Sequence, residues 1–322
     1  MRLLGWVMGL AALFVASAAF AGNVGFETIS IPVAGDKPLQ AGVWYPTDAA
    51  EAMTPLALGR QSVAPGAAVL GHGHPLVVIS HGTGGSFADH FDIARALAQS
   101  GFVVAAVSHT GDTYDDRSRA LRITERPGQL VRLIDYMTAD WRGHAAIDAQ
   151  RIGAFGFSSG GFTVLGAIGG EPNLALLAPH CARHPHFFDC QLNRQFAAFP
   201  RPATPAPVAH DPRIKAAVVA APALGFTFAP SGLAKVRIPV QLWRAEWDTV
   251  LPQPYYAETV HGLLPKADYR VAPRADHFDF LPPCSEGLAK AAPSICVSNI
   301  DRATFHQTFN AEVVRFFREK LR

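Results

Sequence analysis

Apolar residues run almost unbroken from Pro75 to Ser80 and again from Phe102 to Val107. Segments this continuous suit strands inside a parallel sheet that is covered on both faces. Between them the period changes. Over 89–99, Phe91, Ile93, Ala94 and Leu97 recur at helical spacing, and Gly101 supplies a stop. A second amphipathic helix is expected over 126–137, opened by Pro127. Upstream, 26–33 and 39–45 flank the turn signal Gly35-Asp36-Lys37-Pro38 and predict an antiparallel pair at the sheet edge. Further strands are expected at 151–155, 214–221, 236–244 and 267–271. A helix begins over 162–168, and a last one over 302–321 buries Phe305, Phe309, Val313, Val314, Phe316 and Phe317. This alternation predicts an α/β fold with a mainly parallel central sheet flanked by helices. Residues 169–212, rich in proline, histidine and phenylalanine, break the rhythm and read as a cap or lid insertion. Phe187, Phe188, Phe196 and Phe199 would line a pocket there or cover the core.

The first 21 residues stand apart. Arg2 is followed by an apolar run from Leu3 to Val15, and Ala19-Phe20-Ala21 fits a cleavage site, as in an export signal. Cleavage after Ala21 gives a mature chain from Gly22 and one domain over 22–322. The run is short for a stable membrane span, so a periplasmic or secreted protein without stable membrane insertion is expected. Export also changes the meaning of four cysteines. Three pairings are possible; Cys181–Cys190 and Cys284–Cys296 are favoured because each brackets a short proline-containing segment. With 49% hydrophobic and 17% charged residues the chain is globular in composition. A net charge of +2 without a basic block leaves no footprint for nucleic acid, and oligomeric state is left open.

The candidate chemistry centres on Gly156-Phe157-Ser158-Ser159-Gly160, a G-x-S-x-G pattern between an expected strand and helix. There Ser158 would be a nucleophile on a tight turn. His81-Gly82-Thr83-Gly84-Gly85 follows another strand, and the backbone N–H groups of Thr83 and Ser159 could hold an oxyanion. Neither the Walker spacing nor the dinucleotide fingerprint is met. Asp248, past the 236–244 strand, can orient a histidine; Glu246 is its local competitor and is the more structural of the two. His277 follows the last strand as general base. The order Ser158, Asp248, His277 is that of the α/β-hydrolase triad. Asp276 and Asp279 lie too near His277 along the chain and are expected to make turn hydrogen bonds. His81, His109 and Asp112 are expected to line the pocket without reacting. His180, His184 and His186 beside Cys181, and His72 and His74, match no structural-zinc spacing, so no metal is assigned.

With these residues in place, the chain resembles the α/β-hydrolase superfamily in its dienelactone-hydrolase-like and platelet-activating-factor acetylhydrolase-like branch. The resemblance spans nearly the whole mature chain. It rests on Val43-Trp44-Tyr45-Pro46-Thr47, Ser80-His81-Gly82-Thr83-Gly84, Arg126-Pro127, Asp148-Ala149-Gln150-Arg151-Ile152-Gly153, the Asp248 and His277 segments, and Asn310-Ala311-Glu312-Val313-Val314. It implies hydrolysis of a small-molecule ester through an acyl-enzyme on Ser158, with no cofactor. Dienelactone hydrolases carry cysteine where Ser158 stands, which turns the expectation towards ordinary carboxylic esters. An amidase or peptidase with the same triad, and a silent binding protein on the same scaffold, are the alternatives.

Overall fold

The computed structural model describes residues 22–200 and 204–322; the expected export signal lies outside them. Among the described residues ten strands form one sheet: β1 (Asn23–Ile31), β2 (Leu39–Thr47), β3 (Ala52–Leu56), β4 (Gly59–Pro65), β5 (His74–Ser80), β6 (Val103–Ser108), β7 (Ile147–Phe157), β8 (Ile214–Ala220), β9 (Val240–Ala245) and β10 (Asp268–Ala272). Their order is β10-β9-β8-β7-β5-β6-β2-β1-β4-β3. From β6 to β10 every pairing is parallel, as the unbroken apolar runs predict.

The β1–β2 pair forms in antiparallel register, but it is not the edge. Beyond β1 lies the β3–β4 hairpin, which has no continuous apolar run to betray it: Met53 is 57% exposed and Pro55 interrupts β3. Proline on an outermost strand is tolerated because its missing N–H faces no neighbour.

Alternation along the strands sends side chains into two cores. Val77 and Ile79 of β5 point to one face, packed with helices α1 (Phe91–Gln99) and α8 (Arg302–Lys320). Leu76 and Val78 point to the other, under α2 (Arg126–Ala139) and α3 (Ser159–Ala167). In α8 the expected residues are buried except Phe305, which is partly covered, and Arg302 and His306 join them. Residues 169–212 carry helices α4 (Leu177–Arg183) and α5 (Phe188–Gln195). They dock on Phe226, Leu251 and Tyr256 through Leu176, Leu177 and Phe187. Helix α6 (Ala257–Leu263) precedes β10, and α7 (Glu286–Ala291) lies between the last two cysteines. Among the described residues no helix is long and apolar enough to cross a membrane.

Candidate active site

Ser158 leaves β7 with φ 55° and ψ −118°. A non-glycine residue held there costs roughly 1–3 kcal/mol and persists only where its surroundings force it. The forcing is visible: the Ser158 N–H donates to the Ala220 carbonyl at 3.0 Å, and its carbonyl accepts from Ala223 at 2.9 Å and Phe162 at 3.2 Å. α3 must then start against the neighbouring backbone. A Cβ on Gly160 would fall on the Ser80 carbonyl oxygen, and one on Gly156 on the Gly160 carbonyl oxygen. The steric demand for glycine at both positions is therefore backbone against backbone.

The three residues expected from chain order meet at the carboxyl ends of their strands. His277 Nε2 is 3.0 Å from Ser158 Oγ, and its Nδ1 is 2.9 Å from Asp248 Oδ2. The other Asp248 oxygen accepts the N–H groups of Val250 at 3.0 Å and Leu251 at 2.6 Å. Both oxygens are thereby committed, which fixes the plane of the carboxylate. A carboxylate on Nδ1 leaves Nε2 as the acceptor facing the serine hydroxyl. Glu246 is elsewhere, accepting the Arg274 N–H at 2.7 Å. Asp276 is a helix cap: it accepts from His277 N–H and from both the N–H and hydroxyl of Thr249. Asp279 does more than close a turn, because it also takes the Nε of buried Arg302 at 3.1 Å.

β5 lies beside β7 with Ser80 opposite Gly156, so the loop after β5 reaches the elbow. Thr83 Oγ1 and Ser159 Oγ are 2.5 Å apart, joining the two segments. Among the described residues, neither the Thr83 nor the Ser159 N–H has an acceptor. A buried polar bundle holds this loop from below. Arg126 donates to the His81 carbonyl and, at 3.3 Å, to Asp112; Asp112 accepts the Gly84 N–H at 2.9 Å. Burial opposes both charges, raising the Asp112 carboxyl to about 6 and lowering Arg126 to about 10.

His81 and His109 belong to the same bundle, 1% and 0% exposed. Burial, followed by the Arg126 charge, holds both rings well below the usual imidazole range, so they are neutral at neutral pH. One tautomer then satisfies every bond. His109 Nδ1–H donates to Gln129 Oε1 (2.8 Å) while Nε2 accepts the Ser80 hydroxyl (2.8 Å). His81 Nδ1–H donates to the Gly82 carbonyl (2.6 Å) while Nε2 accepts the His109 N–H (3.0 Å). These histidines and Asp112, expected to line the pocket, are not among the residues around the cavity described below; their hydrogen bonds run to the loop itself.

That cavity, about 240 Å³, opens beside Thr83 and Ser159. Its walls are mainly apolar, with Ile123 and Leu121 on one side and Leu174, Leu177, Phe188 and Leu192 from residues 169–212 on the other. Phe187 instead packs with Tyr256, and Phe196 lies against Phe199, which is 39% exposed. Both expected disulfides are formed, with Cα separations of 5.3 Å for Cys181–Cys190 and 5.8 Å for Cys284–Cys296. His180, Asp189 and Cys190 converge within 4.8 Å, but the Cys190 sulfur is bonded to Cys181 and has no thiolate for a metal.

The roles of two residues were not read from sequence. Asp189 lines the cavity, masked in the chain by the histidines and aromatics around it. Arg126 did carry a signal: a cation at the first position of a helix opposes the helix dipole, and such a placement asks for a tertiary partner.

No known protein-family model matches the chain, and no curated protein sequence matches it. Solved structures do, over 766 chains, so the fold is a common one and by itself names no substrate. A ferulic acid esterase from Streptomyces cinnamoneus superposes with a TM-score of 0.62 at 20% identity, over 95% of this chain and 92% of that one. Strand order, flanking helices and this likeness agree on an α/β fold of the α/β-hydrolase type.

Proposed function

We propose that the chain is an exported serine hydrolase that cleaves carboxylic esters through an acyl-enzyme. The observation that carries this reading is the single imidazole bridging Ser158 Oγ and Asp248 at hydrogen-bond distances on both sides. Ser158 attacks the ester carbonyl as His277 takes its proton, and His277 then returns that proton to the leaving alcohol. Asp248 orients the ring and stabilises its charged form. The Thr83 and Ser159 N–H groups receive the oxyanion; each such donor typically contributes about 3 kcal/mol in the transition state. An esterase among the structures of this fold supports the reaction class. The motifs 43–47 and 148–153 favour the dienelactone-hydrolase-like branch, and serine at 158 favours ordinary esters over dienelactone. Residues 169–212 act as a cap, since they supply one wall of the cavity. Two disulfides are in keeping with an oxidising compartment.

Hydrolysis of p-nitrophenyl esters of graded chain length tests the reading. Ser158→Ala is expected to lower kcat by roughly three to six orders of magnitude. Undiminished turnover in that variant would overturn the assignment.

A further inference from the structure

His277 is carried by a single short turn, His277–Phe280, and that turn is fastened at both ends. At its start, the Asp276 carboxylate accepts the N–H and the hydroxyl of Thr249, the residue after Asp248. At its far end, Asp279 is fully buried and is gripped by α8. Its carboxylate takes Arg302 Nε at 3.1 Å and the Asp276 N–H at 2.8 Å. Its carbonyl oxygen stands 2.9 Å from His306 Nε2. Arg302 is itself pinned, donating to the Ile295 and Val297 carbonyls at 2.9 and 3.3 Å.

Arg302, His306 and Asn310 follow at steps of four along α8 and so share one stripe of the helix. His306 is 3% exposed. A carbonyl oxygen only accepts, so His306 Nε2 carries a hydrogen. Its Nδ1 is 2.6 Å from Asp92 Oδ2 on α1, and the Asn310 amide donates to the same oxygen at 2.7 Å. Burial works to raise the Asp92 carboxyl, but the His306 hydrogen bond and charge, with the Asn310 amide, carry it below its ordinary range. The carboxylate therefore accepts, and the ring donates at both ends. A ring held in this way has one orientation. Phe305 and Phe309 close round it, with centroids 5.5 and 5.9 Å away. Stability alone does not account for these groups, since apolar residues of similar volume often serve as well as a buried ion pair. What directional bonds add is alignment between α1, α8 and the turn that carries His277.

We propose that His306 is a positioning residue for the general base: its Nε2–H holds the Asp279 carbonyl, and with it the turn that sets His277 against Ser158. The proposal rests on the ester-hydrolase reading and adds to it a second aspartate–histidine pair, one that does not line the cavity. Proton transfer to and from Ser158 needs the 3.0 Å contact between its Oγ and His277 Nε2. Asp248 orients the His277 ring, whereas the turn sets where the ring begins. A displacement of about 1 Å that originates far from the chemistry can cost about 10²-fold in rate. Asp92 keeps His306 aimed, and Arg302 holds the same Asp279 by its side chain.

The experiment separates the two ends of the His306 ring. His306→Asn places its amide near the Nδ1 position, so it keeps a bond to Asp92 but falls short of the Asp279 carbonyl. His306→Gln reaches further and restores a donor to that carbonyl. With p-nitrophenyl acetate, His306→Asn is expected to lower kcat on the order of ten- to a hundredfold while KM stays within about twofold. Labelling of Ser158 by a fluorophosphonate, which needs the same proton removal, should slow in step. His306→Gln should recover most of both rates. If His306→Asn does not fold, Asp92→Leu/His306→Leu takes its place, because it removes both buried partners together, and the same loss is expected. Wild-type kcat in whichever of these variants folds would overturn the proposal. So would equal losses in His306→Asn and His306→Gln, the result a merely structural histidine would give. Wild-type protein that neither hydrolyses the ester nor takes up the fluorophosphonate would instead remove the ester-hydrolase reading beneath it.

Discussion

Two aspartates border the site from opposite sides, and their surroundings differ in kind. The side chain of Asp248 is 6% exposed and spends both oxygens within the fold, on His277 and on two backbone N–H groups. Asp189 is buried to a similar degree, yet among the described residues one of its oxygens has no hydrogen-bond partner. The first stands in the turn beyond β9, which the Glu246 and Trp247 N–H groups tie to the Ala272 and Ala275 carbonyls. The second stands on a short helix of the 169–212 segment, held by a disulfide and by ring stacking. The difference separates two tasks. On the proposed reading, the carboxylate that orients the reacting imidazole has both oxygens committed within the fold, whereas the one on the 169–212 segment has not.

The sharpest way to break the comparison is to change the carboxylates beside His277. Asp248→Asn should lower kcat by about 10⁴, because the amide favours the wrong imidazole tautomer. Asp276→Asn, which alters only a cap, should cost about 1 kcal/mol of stability and little activity. Matched p-nitrophenyl ester kinetics would decide between them. Equal losses in the two variants would mean that the acid of the triad is not the one in contact with His277 Nδ1.

A smaller effect is expected beneath the oxyanion loop. Arg126→Met leaves Asp112 buried beside the Gly84 N–H with only the more distant Arg117 cation at 3.9 Å, and breaking a buried pair typically costs about 3–5 kcal/mol. The loop that carries the Thr83 N–H should relax with it, lowering kcat by up to about 10²–10³, the usual range for loss of an oxyanion donor. Adding Asp112→Asn should return much of the stability but not the rate. A variant that melts like wild type would show that the bundle does not brace the loop.

How far the sequence could be read follows the same division. The central strands were legible because burial on both faces leaves nothing but apolar residues at 76–79 and 102–107. That Ser158, Asp248 and His277 would meet could be expected because each follows a strand of the sheet, in a fixed order. The β3–β4 hairpin was not, since an outer strand half in water carries Met53, Thr54 and Pro55 without penalty. His81 and His109 stand at strand ends as expected, but their rings bond within the buried bundle: sequence gives the end of a strand, not which way a side chain turns there. Asp189 was invisible because its meaning comes from Tyr256 and from a missing partner, and neither is a property of its neighbours in the chain.

The smallest effect belongs to the bridge that holds the cap. Closing the loop between Cys181 and Cys190 contributes at most about 3 kcal/mol in the chain-entropy model. Because α4 and α5 rest on the Phe226 and Tyr256 cluster rather than inside the two main cores, the loss should appear as local opening. The double variant Cys181→Ser/Cys190→Ser should therefore melt only a few degrees lower while residues 169–212 become markedly more sensitive to limited proteolysis. Turnover of p-nitrophenyl acetate should change less than turnover of longer acyl esters, which need the cavity wall that α5 provides. The bridge Cys284–Cys296 encloses α7, which packs on β4 at the far end of the sheet, and its double serine variant should leave that acyl-length dependence unaltered. If the two double variants behaved alike, the 169–212 segment would have no special share in binding, and the division between a reacting sheet and a selecting cap would fail.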